Sequence, residues 1–129
     1  METEREMRAF SIVKRLKSFR YAIRGIYVFI KTQPNAWVHL VGALIAIFLG
    51  IYLKINEGEW LSLIIVTGLV LITEAFNTAI EFDIDLTSPE YHPYARDTKD
   101  VAAGAVLISV ILASIAGLII FLPKILALF

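Results

Sequence analysis

Three long apolar runs dominate the pattern of hydrophobic and polar positions along this chain. They extend over about residues 37–52, 60–82 and 101–121. Each is long enough for a helix that crosses the roughly 30 Å hydrocarbon layer of a membrane, although the first is short. A short turn at 54–59 joins the first two runs and is followed by Trp60, an aromatic residue of the kind that anchors helices at membrane interfaces. The pattern predicts an antiparallel hairpin and spanning helices at about 36–53, 60–86 and 99–121.

A different pattern precedes the first apolar run. Between Phe10 and Ile30, apolar residues recur every three or four positions, as on one face of a helix. A separate polar stripe consists of Lys14, Lys17, Tyr21 and Arg24. The spacing predicts a basic amphipathic helix at about 8–31 that lies on the inner membrane surface. Because Pro34 disfavours helical geometry at Gln33, we expect the helix to break within residues 32–35, before the first span.

Composition supports the same fold class. Of the 129 residues, 58% are hydrophobic and the mean hydropathy is +0.74, well above what a soluble domain of this size needs. We therefore expect one all-α membrane domain over residues 1–129. The charged opening segment at 1–6 lacks the pattern of a signal peptide, so we expect it to remain on the mature chain. The absence of cysteine excludes disulfides, thiolate metal sites and cysteine nucleophiles.

The positive charges are distributed unevenly about the apolar runs. Eight precede the first run, namely Arg5, Arg8, Lys14, Arg15, Lys17, Arg20, Arg24 and Lys31. Arg96 and Lys99 lie between the second and third runs, and only Lys54 and Lys124 fall on the other side. The positive-inside rule therefore predicts a cytoplasmic amino terminus and a cytoplasmic loop at 83–100.

The tail of the second run carries an acidic stripe. On a helix its members project within roughly 80° of one another. They are Glu74, Asn77, Glu81 and Asp85. Oxygen ligands of this kind suit a magnesium ion that also binds substrate phosphates. Alternatively, Glu74 and Asn77 make polar contacts between helices while the later acids are solvated. Glu74 lies deepest in the apolar run, so its carboxylate most needs a functional explanation.

Lys99 is expected at the start of the third spanning helix. Asp97, Thr98 or Asp100 is the predicted cap, so free backbone N–H groups and the helix dipole would favour an anion near Lys99. Alternatively, Lys99 extends to lipid headgroups. On the amphipathic helix, Lys17, Tyr21 and Arg24 are candidates for gripping a nucleotide, or else for binding anionic lipid.

Four short segments together resemble one known family. They read Ser18-Phe19-Arg20-Tyr21-Ala22-x-x-Gly25, Glu74-x-x-Asn77-Thr78-Ala79-Ile80-Glu81-x-x-x-Asp85, Glu90-Tyr91-His92 and Lys99-Asp100-x-Ala102-Ala103-Gly104-Ala105-Val106. In these segments and in its three-span layout the chain is similar to the small bacterial integral-membrane diacylglycerol kinases and undecaprenol kinases. The resemblance extends over nearly the whole chain.

The resemblance implies transfer of the γ-phosphoryl group of ATP, with Mg²⁺, to the hydroxyl of a membrane lipid at the bacterial inner membrane. It also implies a homotrimer with shared active sites and no nucleic-acid partner. By position, Glu74 matches the general base, Asn77 its polar partner, and Glu81 the magnesium ligand. Lys99 matches the contact to the β- and γ-phosphates. The other residues matched to the nucleotide site are Asp85, His92, Asp100, Lys17, Tyr21 and Arg24.

One position departs from the family pattern. Gln33 stands where many members have a second metal-binding glutamate, so any magnesium ligand there is an uncharged amide oxygen. The resemblance leaves the acceptor open between diacylglycerol and undecaprenol. A different function, as a non-enzymatic scaffold or as a cation or proton pathway through Glu74 and Glu81, would place polar groups throughout the membrane. The outer half of the second run carries only Ser62 and Thr67, which favours chemistry at one membrane surface.

Overall fold

The computed structural model describes residues 3–129, except for the side chains of Ala9 and Phe10. All regular secondary structure in this range is α-helical. The helices are α1 (Glu4–Thr32), α2 (Pro34–Tyr52), α3 (Glu57–Thr87) and α4 (Pro93–Leu126). The last three are long and apolar enough to cross a membrane. The predicted fold class, three spanning helices preceded by one further helix, is therefore confirmed.

Helix α1 forms a compact unit that ends at Thr32. Glu4 and Glu6 lie in its first turn and Lys31 in its last, which complements the helix dipole. Apolar side chains such as Leu16 and Phe19 are exposed within this unit. The position of α1 on the membrane surface stays a prediction.

The second unit begins at Gln33, where the expected break occurs. Gln33 has extended backbone geometry, and Pro34 occupies the first turn of α2, a position that needs no N–H donor. Helices α2 and α3 then form the predicted antiparallel hairpin, because both ends of the pair are in contact. At one end Gly50 packs so closely on the Trp60 ring that a Cβ on Gly50 would lie 2.6 Å from it. At the other end Gln33 donates a hydrogen bond to Thr78.

A capping box starts α3. The Asn56 side chain accepts a hydrogen bond from the Glu59 backbone N–H, and the Glu59 carboxylate accepts one from the Asn56 N–H, each at 2.9 Å. Lys124 near the end of α4 donates to the other Glu59 oxygen at 2.6 Å. Beside these groups, Leu63 and Phe121 belong to a small apolar core. These contacts fix the rotation of α3 against α4.

The start of α4 corrects a prediction. His92, not Asp97, Thr98 or Asp100, is the N-cap, and its Nδ1 accepts a hydrogen bond from the Tyr94 N–H at 3.2 Å. Pro93 takes the first helical position, where its fixed φ angle favours helix initiation, so α4 begins six residues before the predicted residue 99. Lys99 consequently lies about 10 Å along the axis from the helix start, and the free N–H groups are not beside it.

Candidate active site

Glu74 lies on α3 with its side chain turned into the protein. The residue is only 1% exposed. Its Oε2 is 3.6 Å from Nε2 of His39 on α2, while Oε1 has no hydrogen-bond partner among the residues that the structure describes. Burying an ionised carboxylate without full pairing is costly, which marks Glu74 as a functional candidate. Its role as a general base stays a prediction.

Asn77 and Glu81 follow Glu74 along the same face of α3. Asn77 is 6% exposed, and its Nδ2 donates a hydrogen bond to Glu81 Oε1 at 3.1 Å. Its own Oδ1 is buried and finds no partner within residues 3–129. The Glu81 side chain is half-buried. The acidic stripe thus presents two unpaired buried oxygen atoms, one on Glu74 and one on Asn77, beside the Glu81 carboxylate.

These side chains line a cleft of about 380 Å³ between α2, α3 and α4. Its polar wall is Asn35, His39, Glu74, Asn77 and Glu81, and its apolar wall on α4 is Ala103, Val106, Leu107 and Val110. A hydroxyl group attached to a long hydrocarbon suits a cleft with one polar and one apolar wall. We name it the acid cleft.

A second, more exposed cavity of about 320 Å³ lies at the end of α3 and the start of α4. Lys99 and Asp85 both line it, and Lys99 Nζ donates to Asp85 Oδ1 at 2.8 Å. That hydrogen bond raises the pKa of Lys99, which precedes the apolar part of α4, so the side chain is cationic at neutral pH. The structure therefore brings together two predicted site residues that are 14 positions apart.

His92, Arg96 and Asp100 also line this second cavity. His92 caps α4 through Nδ1, so only its Nε2 remains available to a ligand. Arg96 donates to the Tyr91 hydroxyl and to Asp97, which fixes a second cation at the rim. Arg96 was not among the predicted site residues, because the cap that places it in the first turns of α4, His92, was not identified from the sequence.

The remaining predicted site residues fall in two places. Gln33 precedes α2, and its Nε2 donates to Thr78 Oγ1 at 3.0 Å, an interaction that leaves the amide oxygen for another partner. Thr78 in turn donates to the Glu74 carbonyl oxygen. Lys17, Tyr21 and Arg24 are exposed on successive turns of α1. Their part in the site stays a prediction.

His39 is a second residue that the sequence analysis missed. It stands in an otherwise apolar span, and an ionisable residue at such a position is a functional candidate by itself. Only the packing of α2 on α3 shows that it faces Glu74, 35 positions later in the chain.

The oxygen atoms of the acidic stripe suit a magnesium ion. In the described part of the chain, no three histidine, cysteine or acidic side chains gather into a ready-made metal site. Magnesium, however, is usually held by one or two carboxylates, with phosphate and water oxygens completing its shell. Glu81 supplies a carboxylate. Beside it, the buried Asn77 Oδ1, which has no hydrogen-bond partner in the described residues, supplies an acceptor. This donor set fits an ion that arrives with a nucleotide.

Comparison with known proteins identifies the family. Residues 20–121 match the family described as prokaryotic diacylglycerol kinase. Undecaprenol kinase of Bacillus subtilis is 38% identical over 108 residues, which cover 84% of this chain and 88% of that protein. A diacylglycerol kinase of Synechocystis is 39% identical over 114 residues, covering 88% of this chain and 65% of the other. A diacylglycerol kinase of Helicobacter pylori is 30% identical over 112 residues, covering 81% and 88%. The chain therefore belongs to the prokaryotic diacylglycerol kinase family and is a lipid kinase.

Proposed function

We propose that this protein transfers the γ-phosphoryl group of ATP to the hydroxyl group of undecaprenol in a bacterial membrane, in a magnesium-dependent reaction. The observation that carries the proposal is the Glu74 carboxylate, 1% exposed and with an unpaired oxygen, in a cleft with one apolar wall. Undecaprenol is preferred over diacylglycerol because the Bacillus relative combines 38% identity with coverage of 88% of its length.

Glu74 is the proposed general base. Its unpaired Oε1 accepts the proton of the lipid hydroxyl while the lipid oxygen attacks the γ-phosphorus. Asn77 supports this end of the cleft through its hydrogen bond to Glu81. A positioned base of this kind contributes roughly 10²–10⁴-fold to a reaction rate.

The phosphate groups are proposed to lie along α3 between Glu74 and Asp85. At about 1.5 Å per residue, the separation of eleven positions corresponds to about 16 Å of helix axis, and Glu81 lies about 10 Å from Glu74. Glu81, with Asn77 and the amide oxygen of Gln33, would hold magnesium, which when bound neutralises phosphate charge. Lys99, which donates a hydrogen bond to Asp85, would contact the β- and γ-phosphates. Charge neutralisation and alignment are the main requirements of phosphoryl transfer.

The lipid is proposed to enter from the membrane and the nucleotide from the cytoplasm. The basic residues of the chain support this orientation, since ten of the twelve lie before the first span or between the second and third. The apolar α4 wall of the acid cleft would contact the lipid chain, and the exposed Lys99 cavity would receive the nucleotide.

The test uses the purified full-length protein in mixed micelles with labelled ATP and Mg²⁺. Undecaprenol and diacylglycerol are offered in parallel, and the products are separated by thin-layer chromatography. We expect labelled undecaprenyl phosphate, formed faster than phosphatidic acid. Phosphorylation of neither lipid by folded protein would overturn the kinase proposal, and a strong preference for diacylglycerol would overturn the choice of acceptor.

Matched acidic variants test the site itself. Glu81→Gln is expected to raise the magnesium concentration needed for half-maximal activity, because it removes a charged ligand. Asp83→Asn is the control, since Asp83 is exposed and lies off the acidic stripe. Equal magnesium dependence in the two variants would rule out Glu81 as a ligand.

A further inference from the structure

His39 and Glu74 form an isolated pair inside the membrane-spanning unit. The His39 side chain is 20% exposed and the Glu74 side chain 2%, with 3.6 Å between Nε2 and Oε2. In the described structure, the acid cleft holds only one further ionisable group, Glu81 on α3, since α4 contributes Ala103, Val106, Leu107 and Val110. Among the residues that the structure describes, His39 is the one side chain lining this cleft that can carry a positive charge.

The two oxygens of Glu74 have different surroundings. Oε2 faces His39, whereas Oε1 is buried without a partner in residues 3–129. Hydrogen bonds between catalytic groups are often long before substrate binds and shorten in the reactive complex. An Nε2–H group on His39 can donate to Oε2 in the neutral or the charged ring, once the 3.6 Å separation shortens. That bond would stop the carboxylate from rotating and keep Oε1 directed into the cleft.

We propose that His39 is a positioning residue for Glu74, holding Oε2 so that Oε1 is the atom that takes the lipid proton. This inference rests on the proposed kinase function. In the step, the lipid oxygen forms a bond to the γ-phosphorus while the bond to the β,γ-bridging oxygen breaks. ADP leaves with that electron pair, and the lipid hydroxyl proton moves to Glu74 Oε1, from which water removes it after product release.

Two polar variants of His39 test the proposal. The amide nitrogen of Gln takes the place of Nε2, while that of Asn takes the place of Nδ1 and does not reach Glu74. We expect His39→Asn to lower kcat about 100-fold, with KM for ATP changed less than about twofold, because misplacement of a catalytic group by about 1 Å has this effect. His39→Gln should restore most of kcat. Equal kcat in His39→Asn, His39→Gln and the wild type would overturn the proposal.

A double variant separates positioning from a general loss of structure. In the Glu74→Gln background the base is absent, so His39→Asn should cause no further loss of kcat. Losses that multiply would show that His39 acts independently of Glu74 and would overturn the proposal. Thr73→Val is the control, because Thr73 bonds to Ser109 on α4 at 2.9 Å and lies outside the acid cleft.

Failure of this inference is distinguishable from failure of the proposed function. If the wild type phosphorylates neither lipid, the proposed function fails. If the wild type is active and the His39 variants match it, only the positioning role fails.

Discussion

Helix α3 carries two inward-facing glutamates with opposite surroundings. Near its start, Glu59 accepts hydrogen bonds at both oxygens, from Lys124 at 2.6 Å and from the Asn56 N–H at 2.9 Å. Glu74, on the same helix, is more deeply buried, yet the facing His39 ring nitrogen is 3.6 Å away and Oε1 is unpaired within the part of the chain that the structure describes. A fully paired carboxylate stabilises a fold, whereas an underpaired buried one is retained for chemistry.

Two lysines of α4 extend this comparison. Lys124 pairs with Glu59 beside a buried apolar core, and Lys99 pairs with Asp85 in the lining of an exposed cavity. Both pairs join α3 to α4. Lys99 lines a cavity of about 320 Å³, so the phosphate contact is proposed for Lys99 and a structural role for Lys124.

The largest effect is expected for Glu74→Gln. Loss of the proposed base should lower kcat about 10²–10⁴-fold, while thermal stability should be equal to or above that of the wild type because an underpaired buried carboxyl group is removed. Kinase assays and thermal unfolding in detergent measure the two quantities. A destabilised variant with near-normal kcat would show that Glu74, like Glu59, stabilises the fold and is not the base.

Lys99→Ala should have the next largest effect. Removing a phosphate contact is expected to lower kcat/KM for ATP about 100-fold. Lys124→Ala is the matched control and should change kcat/KM for ATP less than about twofold while lowering thermal stability. Steady-state kinetics over a range of ATP concentrations decides between them, and similar losses in both variants would contradict the assignment.

Gln33→Glu tests whether a second carboxylate beside the acidic stripe strengthens magnesium binding. A second carboxylate should lower the magnesium concentration for half-maximal activity about tenfold, because each added anionic ligand strengthens binding. Magnesium titrations of kinase activity at saturating ATP measure this change. An unchanged titration curve would exclude Gln33 as a magnesium ligand.

The smallest effect on activity is expected for Glu59→Gln. The hydrogen bond from Lys124 lowers the pKa of Glu59, which precedes the apolar part of α3. A lowered pKa in the folded state gives stability that is present above the unfolded-state pKa and lost as pH falls through the folded-state value. The variant should therefore unfold a few degrees below the wild type at pH 7, with a smaller difference near pH 4. Thermal unfolding at both pH values, with kcat unchanged within about twofold, checks this.

Local patterns predicted much of the fold. The apolar runs indicated α2, α3 and α4, and Pro34 indicated the break at Gln33, because hydropathy and proline geometry act over a few residues. The acidic stripe was equally local, since helical periodicity alone puts Glu74, Asn77 and Glu81 on one face. The predicted start of α4 was wrong. Three residues inside the helix are of types that cap helices well, and the prediction relied on them. It did not use Pro93, whose fixed φ angle and missing N–H favour the first helical position.

The amino-acid sequence by itself determined that this chain forms spanning helices and that one of them carries acids into its apolar tail. Only the tertiary structure decided which of those acids are paired. His39 meets Glu74, and Lys99 meets Asp85, because the packing of Gly50 on Trp60 and the paired Glu59 set how the helices are rotated. The rotation of one helix against another depends on contacts between residues that are distant in the sequence. The pattern along a single helix therefore does not determine it.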